Sequence, residues 1–445
     1  MSRRPMKFQA AVRGRFSMSS AQQFGFSLIE LMVGMTIGLI ALLVIGQTLS
    51  VFDVHKTTTT AAADAQENGL LALSAIEQDV RRAAAGFNHP SLMRCQNLYS
   101  YYQERSGVGA PIAVGTAAPF PVLLDDGAVN DRITIRAASY LEGAVATLLS
   151  ADMEKTADPA LLFKVERGFA LQGEPSPARP GEPDLIVVAD REAIFDAPTG
   201  NNVARCSLMQ VSSITADSFG RSIVRVVNGP AGKNPEYNAS HAFMENNNWP
   251  GFGSRSDAGY KKNDLLFRLG STASGGVLQT TYQINASGSL EAQISGNQGA
   301  ASRVEVLASD VVALQAQYGI SATPSSQEVA LWVNPSGATW GSAALNPAVV
   351  TASAIDNRLR IKAVRIAIVA RSGMRDGGEV TTPCAENNAP AGSNFGPCAW
   401  TDDSAANPAP AIDLRSTPGD TEWQHYRYRV YQTVIPMRNI LWPEL

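Results

Sequence analysis

Gln23-Phe24-Gly25-Phe26-Ser27-Leu28-Ile29-Glu30 is where the chain passes from a basic leader to an apolar stem. Residues 1–25 carry Arg3, Arg4, Lys7, Arg13 and Arg15 and no Asp or Glu. From Phe26 to Phe52 the chain then runs 27 residues with one charge, Glu30, at the fifth position. About 20 apolar residues cross a bilayer, so this run is long enough to span with tilt. Positive charge beside a span keeps that end in the cytoplasm, which sends the residues after Phe52 across the membrane. A secretory signal would be cut behind the apolar stretch, after small residues, and not in front of it. Glu30 is the anomaly, because a carboxylate inside a membrane-length helix is costly and the run holds no Lys or Arg to pair with it. Two readings of these residues stand. One is an uncleaved signal anchor whose glutamate snorkels to the interface. The other is a helix whose carboxylate is met by a cation from another chain.

The junction Gly25-Phe26-Ser27-Leu28-Ile29-Glu30 resembles the prepilin signature shared by type IV pilins and type II secretion pseudopilins. The resemblance implies that a membrane peptidase cuts between Gly25 and Phe26 and methylates the new terminus at Phe26. It also implies that Glu30 docks against the α-amino group of Phe26 on the next subunit. Gly34 and Gly38 form a G-x-x-x-G pair, a spacing that lets membrane helices approach closely. Gly is common in such helices anyway, so packing and simple tolerance both fit.

Helical spacing continues past the span. Asp53 to Ala85 has no proline, and Leu70, Leu73, Ile76 or Glu77, and Val80 recur on one face. Gly86 supplies a stop and Pro90 follows. The expected organisation is a leader over 1–25, a helix over 26–86 and a periplasmic head over 87–445, in one lobe or two. Strands are expected at Arg132–Ala137, Asp184–Ala189, Leu208–Ile214, Ile223–Val227, Leu265–Leu269, Val277–Ile284, Val304–Leu307, Val311–Ile320, Ala363–Arg371 and Tyr426–Ile435. They suit a sheet with one buried face. A short second helix is hinted at only over Asp310–Leu314. The fold class is therefore α+β. Its long N-terminal helix has an apolar half for membrane or fibre core and an amphipathic half packed on a mostly antiparallel β-rich head. Asn228–Asn263 and Gly373–Asp420 are long polar stretches that suit surface insertions or partner contacts.

Several pieces of the head resemble the PilW-type minor pilins. They are Ala204-Arg205-Cys206-Ser207-Leu208-Met209-Gln210-Val211, Leu265–Gly270, Leu314–Gly319, Val364–Ser372 and Tyr428–Asn439. The resemblance implies a structural protein that joins other minor pilins and the major pilin, starts in the inner membrane and sits near a fibre tip, where it presents a large adhesin. Pili of this kind serve twitching motility, attachment and DNA uptake. A J-subunit-like secretion pseudopilin shares the same signature, and a membrane-anchored periplasmic adhesin or enzyme is the rival of a different class.

Composition narrows the rest. Without the leader, 31 Lys and Arg face 40 Asp and Glu, an acidic body that argues against nucleic acid as a partner. Cys95, Cys206, Cys384 and Cys398 all follow the span, in an oxidising compartment, and allow three pairings. Cys384–Cys398 would close a short loop, and Cys95–Cys206 would tie the segment after the helix to a strand. No C-x-x-C occurs, and His55, His89, His241 and His425 are scattered, so no metal or other cofactor is expected. There is no G-x-S-x-G, H-E-x-x-H or P-loop. Asp125-Asp126-Gly127 and Asn130-Asp131 read as an acidic turn. Trp423 to Tyr431, with interleaved bases and aromatics, reads as an alternating strand.

Overall fold

The computed structural model describes residues 27–84, 92, 95–101, 120–138, 146–155, 160–166, 168, 171–173, 183–192, 194–196, 201–227, 237–247, 249–252, 259–272, 277–296, 302–347, 351–385, 394–400 and 409–437. Contacts divide the chain into two units, one ending at Thr59 and one beginning at Thr60. A single helix, Leu28–Arg82, runs through that boundary. Glu30 lies in its first turn and Arg81 and Arg82 in its last, each on the side the helix dipole favours. The helix stops where Ala84 turns left-handed at φ 63°, and the Ala84 N–H donates to the Arg136 carbonyl at 3.1 Å. Gly86 and Pro90, the expected stop, lie outside the described residues.

The second unit is built from four sheets. A five-stranded antiparallel sheet has the order Arg303–Ser309, Ser289–Gly296, Val277–Ile284, Arg132–Ala138, Val122–Asp125. A four-stranded one has the order Leu331–Val333, Val311–Ile320, Ile361–Arg375, Tyr426–Pro436. A six-stranded sheet runs Cys95–Tyr99, Asn201–Gln210, Asp184–Ala189, Leu265–Ser271, Thr147–Leu148, with Ile194–Asp196 also on Asn201–Gln210. Its pair Cys95–Tyr99 with Asn201–Gln210 is parallel. The last sheet runs Ser213–Ala216, Ser222–Val227, Ala160–Val165, Glu154–Lys155.

Three expectations are corrected. The helix hinted at over Asp310–Leu314 does not form. Asp310 makes a left-handed turn at φ 54°, and Val311–Ile320 pairs along Ile361–Arg375 as a strand. Five residues are too few to separate the two periods, and the β-branched Val311 and Val312 favour the sheet. Among the described residues, short helices occur instead at His241–Asn246, Gly337–Trp340, Ser342–Leu345 and Ala352–Arg360. The strand expected over Leu208–Ile214 is two strands, because Val211 and Ser212 turn the chain from one sheet to the next. Finally, the central strands are buried on both faces rather than one. Leu185, Val187 and Ala189 enter the main core with the helix, while Ile186 and Val188 enter a second core.

That second core contains much of the stretch expected to be a surface insertion. Ala239, Met244, Trp249, Phe252 and Tyr260 are buried in it, while Tyr237 enters the main core. Likewise Trp400 and Ile412, from the other long stretch, cover the outer face of the sheet that holds Val369. Arg365 lies there with its guanidinium 4.9 Å from the Trp332 ring and 4.4 Å from the Trp400 ring. Both are within cation–π range.

Two buried acids fix neighbouring elements, Asp190 within the six-stranded sheet and Asp131 between two sheets. Asp190 accepts from Arg205 Nε at 2.8 Å and Nη2 at 2.9 Å, with both side chains at most 3 % exposed. Asp131 accepts from the Ala316 N–H at 2.7 Å and joins the turn after Val122–Asp125 to the neighbouring sheet. Burial pushes its carboxyl up to about 7.

Each acid gives a prediction. Asp190→Ala leaves Arg205 as an uncompensated buried charge and should cost about 3–5 kcal/mol in denaturant unfolding of the detergent-solubilised chain. Asp190→Leu with Arg205→Met should cost far less, and equal losses would contradict this account. Folded Asp131 holds its proton to about 7, whereas the unfolded residue releases it near about 3.9. Folding therefore takes up a proton between those values, and this residue's stabilising effect declines as pH rises through that window. Wild type should lose Tm relative to Asp131→Asn between pH 5 and pH 8; a constant gap would refute it.

Candidate functional site

The stem is apolar and uncovered. Leu28–Leu49 is 22 residues with mean hydropathy 2.6, long and apolar enough to cross a membrane, and none of it is buried in this chain. Leu28 is 78 % exposed and Leu42 70 %. Burial of such side chains is worth about 1.5–3 kcal/mol each, so the segment needs a medium or a partner outside its own chain. Glu30 is exposed in the first turn and its N–H donates to the Ser27 carbonyl at 3.0 Å. Gly25 and Phe26, the expected cleavage and methylation positions, lie outside the described residues. Gly34 and Gly38 share one helical face, and a methyl added at either would touch nothing. Nothing within this chain therefore requires glycine there, although each lowers helix propensity by up to about 1 kcal/mol relative to Ala.

From Thr60 onward the helix is clamped to the head. The expected stripe of Leu70, Leu73, Ile76 and Val80 is displaced. Leu70 and Leu71 are 49 % and 50 % exposed, and the buried face is Ala65, Gly69, Ala72, Ile76, Val80 and Ala83. Small residues bring the helix close. A Cβ on Gly69 would lie 2.2 Å from the Tyr431 ring of the terminal strand. Asn68 Nδ2 donates to Ser309 Oγ at 3.2 Å, and the Tyr282 hydroxyl donates to Asp79 Oδ2 at 2.8 Å. Beside this face lies an open groove of about 630 Å³ lined by Leu71, Ser74, Ala75, Glu77, Gln78, Arg81 and Leu307. Composition alone favours the leucines for the buried face; the signal for the true one was the spacing of Ala65, Gly69, Ala72 and Ile76.

The cysteines pair as Cys95–Cys206, with Cα atoms 5.8 Å apart, and Cys384–Cys398, with Cα atoms 4.8 Å apart. The first joins the strand that follows the helix to the six-stranded sheet. The second closes the stretch that carries Trp400 over Arg365. Among the described residues no three His, Cys, Asp or Glu gather in a way that could hold a metal. Asp131 lies in the loop that joins Val122–Asp125 to Arg132–Ala138, and its Oδ1 accepts from the Gly127 N–H at 3.3 Å. Tyr426–Pro436 is an edge strand of alternating exposure, with Arg427 paired to Asp376 at 2.9 Å.

An exposed membrane-length helix, clamped at its far end to a disulfide-bonded β head, agrees with two family matches. Residues 20–46 match the prokaryotic N-terminal methylation motif, and residues 277–439 match type IV pilus-assembly protein W. The chain thus resembles PilW-type type IV pilins over 163 of its 445 residues and carries their N-terminal methylation motif. The motif match contains Gly25, Phe26, Glu30, Gly34 and Gly38. The PilW match contains Leu314–Gly319, Val364–Ser372 and Tyr428–Asn439, whereas Ala204–Val211 and Leu265–Gly270 lie outside it. A type IV-like pilin from Thermus thermophilus is similar in structure at 17 % identity and a TM-score of 0.22. The overlap covers 37 % of this chain and 66 % of that one. No curated protein matches the chain.

The clamp is testable. In this chain, Gly69→Ala gains up to about 1 kcal/mol of helix propensity and forces a shift against Tyr431 that costs about 1–3 kcal/mol. The substitution should destabilise wild type and stabilise a Tyr431→Ala background. The same sign in both backgrounds, by denaturant unfolding, would contradict close packing at this point.

Proposed function

We propose that this chain is a minor pilin, cut between Gly25 and Phe26, methylated at Phe26 and built into a fibre by its stem. The carrying observation is the exposed 22-residue apolar helix with one carboxylate in its first turn. In that reading the leader is residues 1–25, the helix residues 26–86 and the periplasmic head residues 87–445. The prepilin waits in the inner membrane. After cleavage its new α-amino group supplies the cation that a neighbour's Glu30 needs, and the apolar faces of adjacent helices bury one another. Gly34 and Gly38 then let neighbouring helices approach.

Its work is structural. The head presents lateral contacts to other minor pilins and to the major pilin, in a complex that primes assembly near the fibre tip. A large tip adhesin is a further expected partner. Motility, attachment or DNA uptake would follow from the fibre and not from chemistry on this chain.

Co-expression with a prepilin peptidase, followed by intact mass measurement, tests the first step. The product should lack residues 1–25 and carry the added mass of one methyl group. A full-length, unmodified chain would overturn the reading.

A further inference from the structure

The strand Arg303–Ser309 ends the five-stranded sheet, with Ser289–Gly296 on one side and no described strand on the other. Its free side presents a row of backbone groups about 23 Å long at about 3.3 Å per residue. Proteins usually blunt such edges with proline, with lysine or with a covering element. This strand has no proline, and it exposes Val304 by 57 % and Val306 by 64 %. Its two charges have opposite sign, with Arg303 Nε 3.1 Å from Glu305 Oε1, and both remain open to solvent.

The register assigns the faces. Arg303 stands opposite Ile294 and Glu305 opposite Ala292, while Val304 and Val306 stand opposite Gln293 and Glu291. Charges thus share one face and valines the other. A helix or a membrane surface would leave the backbone row unmet; only an extended strand satisfies it. The charges also say which strand. A reversed copy of the same segment, centred on Val304, sets Arg303 opposite Glu305 and Glu305 opposite Arg303. It places Val304 against its own equivalent and Val306 against Ser302. Centring the copy on Glu305 instead would set two carboxylates directly opposite each other, which is unfavourable.

We propose that this edge pairs with the same edge of a second copy of the chain, antiparallel, with the two-fold axis at Val304. The contact is isologous and closes on itself, joining two five-stranded sheets into one. It is small against a standard interface, so it is weak in dilute solution and favoured by confinement in a membrane or assembly. It does not depend on cleavage at Gly25 or on the docking role of Glu30.

All four cysteines are in disulfides, so one added cysteine is the only free thiol. The full chain carrying Val304→Cys is reconstituted in lipid vesicles and oxidised with copper phenanthroline. It should form disulfide dimers, because the two positions meet on the axis. Val306→Cys alone should not, and differently tagged Ser302→Cys and Val306→Cys chains should crosslink to each other. Phe219→Cys, at a position 81 % exposed outside this sheet, reports random collision. Adding Glu305→Arg should lower Val304→Cys dimer yield by about tenfold, as two cross-strand pairs turn from attraction to repulsion. Adding Arg303→Glu to that chain should restore it, which also excludes misfolding as the cause. Dimers no more abundant than with Phe219→Cys, or a yield indifferent to these charges, would overturn the proposal.

Discussion

One constraint governs this molecule: its first helix has more apolar surface than its own chain can cover. Leu28–Leu49 is exposed throughout, and its one charge has no cation in the same segment. A medium or a neighbouring chain must therefore complete it. The same helix ends in a different regime, where Ala72, Ile76 and Val80 are closed inside the core of the head. The proposed membrane span and the proposed role both follow from a helix that is unsatisfied at one end and fully satisfied at the other.

The head meets its side of this arrangement by being rigid where the helix lands. Strands buried on both faces, Asp184–Ala189 and the first part of Ile361–Arg375, link the core under the helix to two further cores. Several buried polar groups fix the register of the sheets. Asp131 joins two sheets through backbone N–H groups, Asp190 fixes Arg205, and the Tyr318 hydroxyl accepts from the Leu124 N–H at 2.6 Å. The disulfides add covalent ties to segments that are also joined by backbone hydrogen bonds. In the chain-entropy account a crosslink over about 15 residues is worth about 3 kcal/mol and one over about 100 residues about 4.7. By that measure Cys95–Cys206, 111 residues apart, limits the unfolded chain more than Cys384–Cys398, 14 apart.

Much of this was legible in the sequence where a pattern was long or local. The stem needed only hydropathy and one anomalous charge, and Asp184–Ala189, Val277–Ile284 and Val311–Ile320 follow from their β-branched content. The rest depended on what packs against what. Leu70 looked like core and Gly69 did not, because only the position of Tyr431 decides which face of the helix is close to the sheet. Asn228–Asn263 looked like a surface insertion, because Met244, Trp249 and Tyr260 are too widely spaced to show a period and are gathered only by the second core. Asp310 could be read as the start of a helix until its left-handed turn was seen. At the stem the decisive residues, Gly25, Phe26 and Glu30, carry their meaning in order and spacing, which geometry within one chain does not add to.

The central claim is that a neighbour's freshly exposed terminus neutralises Glu30, and one measurement addresses it directly. Fibres sheared from cells expressing Glu30→Ala are compared with wild type for content of this chain, with cleavage monitored in the membrane fraction. The account predicts normal removal of residues 1–25 and loss of the variant from fibres. Equal incorporation of variant and wild type would contradict it.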